Sequence, residues 1–165
     1  MELKEIVKNH LVEEKETARL ERVKANKNLR EITVFTSDQV KICESYIKTL
    51  KDEGIKFKEI KVQGNEKKWD EIVYLTNMPS FPTIVLDDNY LLFQRDFQNP
   101  QQLIALLQYY AKPSLKGKIN DVRIFESLKT QTYHLHTRLN NIEKKLHPIM
   151  NFLTDLKQQI AEESE

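Results

Sequence analysis

The chain has 165 residues, of which 39% are apolar and 31% are charged, and its 26 basic and 25 acidic side chains nearly cancel. This length suits one compact domain with extensions, and the high charged content indicates much solvated helix surface. The small net charge would not attract nucleic acid or an anionic membrane, and no apolar run approaches the roughly 20 residues of a membrane span. The single cysteine excludes an intrachain disulfide and a cysteine-rich zinc site.

The N-terminal segment, residues 1–30, is predicted to be a helical arm. Leu3, Ile6 and Leu11 are spaced as in a helix, but they lie among many charged residues, and Glu13 interrupts any heptad pattern. We expect this arm to dock on a partner or a neighbouring subunit; a solvated, partly frayed helix is the alternative. The segment lacks the continuous hydrophobic stretch of a signal peptide, so the cytoplasm is the expected location.

The middle segment, residues 31–112, is predicted to be an α/β domain. The runs EITVFT and FKEIKV are short, rich in β-branched and aromatic residues, and separated by a helical pattern, which favours a parallel βαβ unit. The run TIVLDDNYLLFQ predicts two strands around a turn at Asp87, Asp88 and Asn89. A closing helix is expected near residues 100–111, because proline stands in its first turn.

The helices of this segment have recognisable apolar faces. Val40, Cys43, Ile47 and Leu50 recur at helical spacing and should face the sheet, and Gly54 is a plausible C-cap. The inward faces of the middle and closing helices are expected at Trp69, Ile72, Val73, Leu103, Ile104, Leu107 and Tyr110.

Two stretches of this segment suggest a family. Residues 32–50 read ITVFTSDQVKICESYIKTL, and residues 78–88 read MPSFPTIVLDD. The first resembles the opening of a glutaredoxin, in which a strand and a short loop precede a CxxC motif at the start of a helix. Val40 and Cys43 stand at the two cysteine positions, so only the second, resolving-type cysteine remains. The second stretch is similar to the family's loop before a strand, which makes Pro82 the expected cis-proline facing the redox site.

The resemblance implies a thioredoxin/glutaredoxin-like fold with a degenerate active site. Glutaredoxin chemistry needs an exposed, low-pKa thiolate at a helix N-terminus, and Val40 supplies none. Cys43 is expected to be buried beside Ile47 and Leu50, where burial raises the pKa of a thiol. We therefore expect no enzymatic activity; a redox enzyme or sensor that uses Cys43 alone is the alternative.

The glutathione site implied by the resemblance is eroded as well. Ser37 stands where the family usually has a lysine before CxxC, and residues 91–93 read Leu-Leu-Phe where the family has a glycine pair. Asp96 matches an acidic residue that follows in the family. We expect no glutathione, no iron–sulfur cluster and no other cofactor. The backbone at Phe81 and Pro82 keeps the chemistry to pair with an extended peptide.

The histidines do not predict a metal site. His134 and His136 are two residues apart on a helix and diverge, which differs from the i, i+4 pair that a metal uses. His10 and His147 are isolated. No metal is expected.

The C-terminal segment, residues 113–165, is predicted to be a linker followed by a coiled-coil helix. Its apolar residues form two seven-residue series with alternating spacings of three and four over about five heptads, a pattern typical of coiled coils. The first series is Phe125, Thr132, Leu139, Leu146, Leu153 and Ile160, and the second is Leu128, Leu135, Ile142, Ile149 and Leu156. The alternative is one amphipathic helix packed on its own domain, but such helices drift to a 3.6-residue period and rarely exceed about 20 residues.

The residues of the two series predict the type of oligomer. Leucine at three of the six positions of the first series and isoleucine at two of the second move the preference away from parallel dimers, and a parallel trimer is expected. Met150 and Phe152 widen the apolar face, and Arg138 and Glu143 are placed to pair between neighbouring parallel helices. Pro148 predicts a kink, or the start of a second helix that folds back as a hairpin.

Together these features predict a non-catalytic structural or assembly protein. The expected partners are further copies of the chain and other structural proteins, with no nucleic acid and no membrane. The combination of a small domain with an oligomerising helix resembles accessory structural proteins of bacteriophage particles, which would place the chain in a virion. A cellular adaptor that uses the domain as a docking platform is the alternative.

Overall fold

The computed structural model of the chain describes residues 2–111 and 121–162. Within these ranges the strands are β1 (Ile32–Thr36), β2 (Phe57–Lys61), β3 (Thr83–Leu86) and β4 (Asn89–Leu92). The helices are α1 (Glu2–Asn26), α2 (Ile42–Asp52), α3 (Glu66–Thr76), α4 (Pro100–Tyr110) and α5 (Val122–Glu162). No helix in these ranges is both long enough and apolar enough to cross a membrane.

The strands form one mixed sheet in the order β2–β1–β3–β4. β1 and β2 run parallel and are joined by α2, which confirms the predicted βαβ unit. β3 lies antiparallel to β1, and β4 lies antiparallel to β3. The turn between β3 and β4 is shorter than expected, because Asn89 already pairs with Leu86. Asp87 adopts a φ of 51°, a left-handed conformation that aspartate tolerates in tight turns.

One face of the sheet is covered by α2 and α4. β1 alternates its side chains between the two faces, and Ile32 and Val34 contribute to the core under these helices. Cys43, Ile47 and Leu50 are buried as predicted, whereas Val40 is only half-buried because α2 begins two residues after it.

The end of α4 differs from the prediction. Leu103 and Leu107 are buried and Ile104 is half-buried, but Tyr110 is exposed and packs edge-on against Tyr109 with ring centroids 5.0 Å apart. The helix ends at Tyr110, and Ala111 takes the buried position one turn after Leu107. The expectation of a buried Tyr110 was therefore wrong.

The other face of the sheet is covered by α3. Trp69 and Ile72 are buried there with Phe35, as expected, and Val73 is half-buried. The indole of Trp69 lies between two phenylalanines, with ring centroids 6.1 Å from Phe35 and 4.2 Å from Phe81. α3 thus links β1 to the loop that precedes β3.

The predicted N-terminal arm is helical and is attached to the domain at its C-terminal end. Asn26 is buried, donates a hydrogen bond to the carbonyl oxygen of Glu53 at 2.9 Å and accepts one from Gln108 at 3.1 Å. Val23 packs against Gly54, which ends α2 with a φ of +68° and leaves no room for a Cβ atom. Docking of the arm on a partner stays a prediction, and the side chains at positions 3, 6 and 11 lie outside the described part of the chain.

The C-terminal segment is a single helix of 41 residues. α5 begins after Asp121, whose side chain accepts a hydrogen bond from the Ile124 amide at 3.1 Å and so caps the helix. It continues through Pro148, so the hairpin alternative was wrong; a kink at this proline stays a prediction. The predicted linker from residue 113 falls largely within residues 112–120, outside the described residues, and so do residues 163–165.

The first turns of α5 pack on α3. Thr130 donates a hydrogen bond to the carbonyl oxygen of Thr76 at 2.6 Å, and Asn77 donates to Ser127 at 3.2 Å. These contacts add a layer to the fold, so that the order is α2 and α4, the sheet, α3, and then the start of α5.

Candidate functional site

The first candidate site lies where β1 gives way to α2. A tight turn connects them, in which the Val40 amide donates to the Ser37 carbonyl oxygen at 3.1 Å and the Cys43 amide donates to the Val40 carbonyl oxygen at 3.0 Å. This turn places Val40 immediately before the N-terminus of α2, where amide groups and the helix dipole would stabilise an anion. The side chain there is a hydrocarbon, so the position has no nucleophile and no group that ionises.

Cys43 lies inside the first turn of α2 and is 4% exposed. Burial is the main cause that raises the pKa of its thiol, and the carboxylates of Glu59 and Glu44 raise that pKa further. The Ser37 amide acts in the opposite direction but does not cancel the effect. The thiol is therefore protonated and shielded at neutral pH, the opposite of a reactive cysteine.

A surface cavity of about 430 Å³ brings Val40 and Cys43 together. Its charged walls carry three lysines and four carboxylates, and Lys61 pairs with Asp38 at 2.7 Å. Because the charges are mixed, the cavity has no cationic field to stabilise a thiolate. Pro82 is not among the described residues that line it.

The loop before β3 has the geometry that the sequence predicted. The peptide bond between Phe81 and Pro82 is cis, and Pro82 is buried. Ser80 donates to the Phe93 carbonyl oxygen at 2.6 Å, and Thr83 donates to the Ser80 carbonyl oxygen at 2.6 Å. These bonds fix the loop against β4.

Comparison with known proteins agrees with this geometry. Residues 32–91 match the family model described as Glutaredoxin. The chain contains a glutaredoxin-like domain. Comparisons with curated proteins and with solved structures give no match. The match spans both the turn with Val40 and Cys43 and the loop with Pro82.

In this glutaredoxin-like domain, Asp96 is engaged by neighbours within the chain. Its carboxylate accepts hydrogen bonds from the Leu92 amide at 2.8 Å and from Arg95 Nε at 2.9 Å, and Lys129 Nζ of α5 lies 3.6 Å away. The acidic residue that the resemblance would assign to glutathione is therefore tied to the domain itself and to α5.

Two functional residues escaped the sequence analysis. Arg95 and Glu126 form a buried ion pair with Nη2 and Oε2 2.7 Å apart, and their side chains are 2% and 0% exposed. Arg95 also donates to the Tyr90 carbonyl oxygen at 2.7 Å, and Lys129 donates to Glu126 at 3.0 Å. With Asp96, two cations and two carboxylates form a neutral network, called here the hinge network, which joins α5 to the domain.

The second candidate site is the apolar seam of α5, defined by the nine positions predicted to form an oligomer interface. Their exposed fractions range from 41% to 60%. The seam consists of Leu128, Leu135, Leu139, Ile142, Leu146, Ile149, Leu153, Leu156 and Ile160. Met150 and Phe152, which were expected to widen this face, are exposed as well.

The seam and the domain use different faces of α5. Glu126 and Thr130 are buried against the domain, whereas Leu128 and Leu135 are exposed. At 100° per residue the two pairs lie on nearly opposite sides of the helix. The alternative in which the apolar stripe packs on its own domain therefore does not describe this structure.

We predict that the Cys43 thiol of the native chain reacts slowly with iodoacetamide. Burial hides the sulfur and raises its pKa, so at pH 7.5 the native rate should be at least about 100-fold below the rate in denaturant. Mass spectrometry of a labelling time course measures both rates. A Val40→Cys variant is the control, because a cysteine at the start of α2 should label rapidly; fast labelling of Cys43 itself would contradict the prediction.

Proposed function

We propose that the chain is a non-catalytic assembly protein, in which several copies associate through α5 and display their glutaredoxin-like domains. One observation carries this proposal: the domain docks on the first turns of α5 through the face opposite the seam, and the seam residues are exposed. The chain thus has a domain-binding face and a second apolar face that the domain leaves uncovered.

The size of the seam supports association. From Leu128 to Ile160 it extends over about 48 Å of helix. Full burial of a leucine or isoleucine side chain stabilises by about 1.5–3 kcal/mol, so a shared core of such residues offsets the entropy cost of association. A continuous apolar stripe of this length is unusual on a monomer and typical of an interaction surface.

The positions beside the seam support parallel helices. We assign the first heptad series to position a and the second to position d, which places Arg138 at position g and Glu143 at position e. In a parallel coiled coil, a residue at g lies against the residue at e five positions later in the neighbour. Arg138 and Glu143 then have opposite charges across the interface. Leucine at three of the six a positions and isoleucine at two d positions support a trimer.

The glutaredoxin-like domain supports display rather than catalysis. Val40 replaces the nucleophile, Cys43 is buried with a raised pKa, and Asp96 is held in the hinge network. The proposed partners are other structural proteins that bind the domain or the α1 arm. A bacteriophage particle is a setting that uses such display, and a place in a virion stays a sequence-based proposal.

Sedimentation analysis of the full chain tests the proposed function. We expect the full chain to sediment with the mass of an oligomer over a wide concentration range. A chain that ends at His136 should sediment as a monomer. The shortened chain keeps Glu126 and Thr130, so the hinge network and the docked turns of α5 are retained. A full chain that sediments as a monomer at all concentrations would overturn the proposal.

A further inference from the structure

A groove lies where the seam meets the glutaredoxin-like domain. It has a volume of about 470 Å³ and lies between the start of α5 and the loop after β4. Phe125, Leu128 and Thr132 of α5 form its apolar wall, and Arg95 and Asp96 form its wall on the domain side. The groove is therefore bounded by two parts of the chain that the hinge network holds together.

The walls of the groove are fixed and mostly uncharged on the side that faces the seam. The ammonium group of Lys129 is directed to the domain, with Nζ 3.0 Å from the Tyr90 carbonyl oxygen and 3.0 Å from Glu126. Lys129 therefore offers the groove its aliphatic stem, while its ammonium group is held by the domain and lies 5.5 Å from the ring centroid of Phe125. A branched apolar side chain fits such a surface.

Ile124 has the right chemistry and position to enter this groove from another copy. It is 59% exposed although it is a large apolar residue, and the domain of its own chain does not cover it. It stands at position g, and Lys129 stands at position e five residues later. In parallel, in-register helices these two positions lie side by side between neighbours.

We propose that a second copy of this chain occupies the groove, with its Ile124 packed against the stem of Lys129 and the wall formed by Phe125 and Leu128. This inference rests on the proposed association through α5, and it specifies parallel, in-register helices and an interface that includes the domain. Each neighbour then contacts the loop that contains Arg95 and Asp96. These contacts fix the position of each domain relative to the associated helices.

The first test is the substitution Ile124→Lys in the full chain. It places a charged group against the apolar wall of the neighbour, and removal of the apolar contact alone should weaken association about tenfold or more. Tyr109→Lys is the matched control, because Tyr109 is equally exposed, at 59%, but lies on α4 outside the groove. Sedimentation across a dilution series measures both variants against the parent chain.

The second test is chemical cross-linking of a Gln131→Cys, His136→Cys double variant with a short bis-maleimide reagent. These positions are g and e of the next heptad, His136 lines the groove, and both are exposed. We expect cross-links between chains for this variant and none for Thr137→Cys, which faces outward, or for the parent, whose cysteine is buried.

The outcomes separate this inference from the proposed function. Association that is intact in Ile124→Lys, together with absent cross-links, would overturn the inference while the assembly itself remains. A parent chain that never associates would overturn both. Weakened association of the Ile124→Lys variant, together with cross-links between chains, would support the groove as the binding site of a second copy.

Discussion

A full chain with Leu139→Asp and Leu146→Asp is expected to sediment as a monomer at concentrations where the parent chain associates. Both leucines lie in the middle of the seam, and their exposed fractions in the single chain are 58% and 49%. Each lost leucine removes about 2 kcal/mol or more of burial from every copy, and a carboxylate in the core adds a desolvation cost. Together the changes should weaken association by at least about a thousandfold. Analytical ultracentrifugation over a concentration series gives the measurement.

The matched control is Asn141→Asp with Gln158→Asp. It adds the same charge to the same helix, but at exposed positions outside the a and d series. This control should keep the parent mass, and both variants should keep the thermal transition of the glutaredoxin-like domain, because the seam makes no part of its core. Equal masses for the parent and the Leu139, Leu146 variant would contradict a seam-based assembly.

The fold of the domain was largely predictable because its signals are local in sequence. The β-branched runs predict the strands, and the helical spacing of Cys43, Ile47 and Leu50 predicts which side of the helix faces the sheet. The structure shows both the strand and this buried helix face. The wrong prediction for Tyr110 concerns the last residue of α4. The helical spacing assigns Tyr110 to the buried face, but the helix ends there and the side chain is exposed. Periodicity therefore identifies the middle of an element better than its boundary.

The sequence identified the residues of the first candidate site but not those of the hinge network. Val40 and Cys43 were identified because they lie close together in sequence, at the two cysteine positions of the motif that residues 32–50 resemble. Arg95 and Glu126 were missed because they lie 31 residues apart and make contact only through the docking of α5. From the sequence pattern alone, a glutamate outside the apolar stripe of a helix is assigned to the solvent-exposed face. The face of α5 that carries Glu126 is buried only because α5 packs against α3.

The hinge network also explains why α5 packs on the domain through its polar face and not through its apolar stripe. Ordinary amphipathic helices bury their apolar stripe on the domain and leave the polar face in water. In the first turns of α5 the polar face is buried instead, and the buried Glu126 is tolerated because Arg95 and Lys129 neutralise it. The apolar stripe therefore faces away from the domain at the start of α5, and charge pairing contributes to the docking of these turns.

Glu126→Ala is expected to detach the start of α5 from the domain. The change leaves Arg95 and Lys129 with one carboxylate between them in a buried site, and breaking such a pair costs about 3–5 kcal/mol. The free energy of unfolding should fall by about 3 kcal/mol. Amide hydrogen exchange should show that residues 122–133 lose most of their protection, while the strands stay the most protected segments although their protection falls with the global stability. Asp155→Ala, an exposed carboxylate on the same helix, is the control and should change stability by less than about 0.5 kcal/mol.

The double variant Arg95→Met, Glu126→Leu separates a loss of charge balance from a general loss of packing. It removes one cation and one carboxylate, so that Asp96 and Lys129 are left as a neutral pair. Replacing a buried ion pair by apolar side chains of similar size is often close to neutral, so the double variant should recover most of the stability that Glu126→Ala loses. Recovery would show that the excess positive charge left by Glu126→Ala is the cause of the detachment. A double variant as unstable as Glu126→Ala would instead mean that the shape of the contact, and not its charge balance, holds α5 in place.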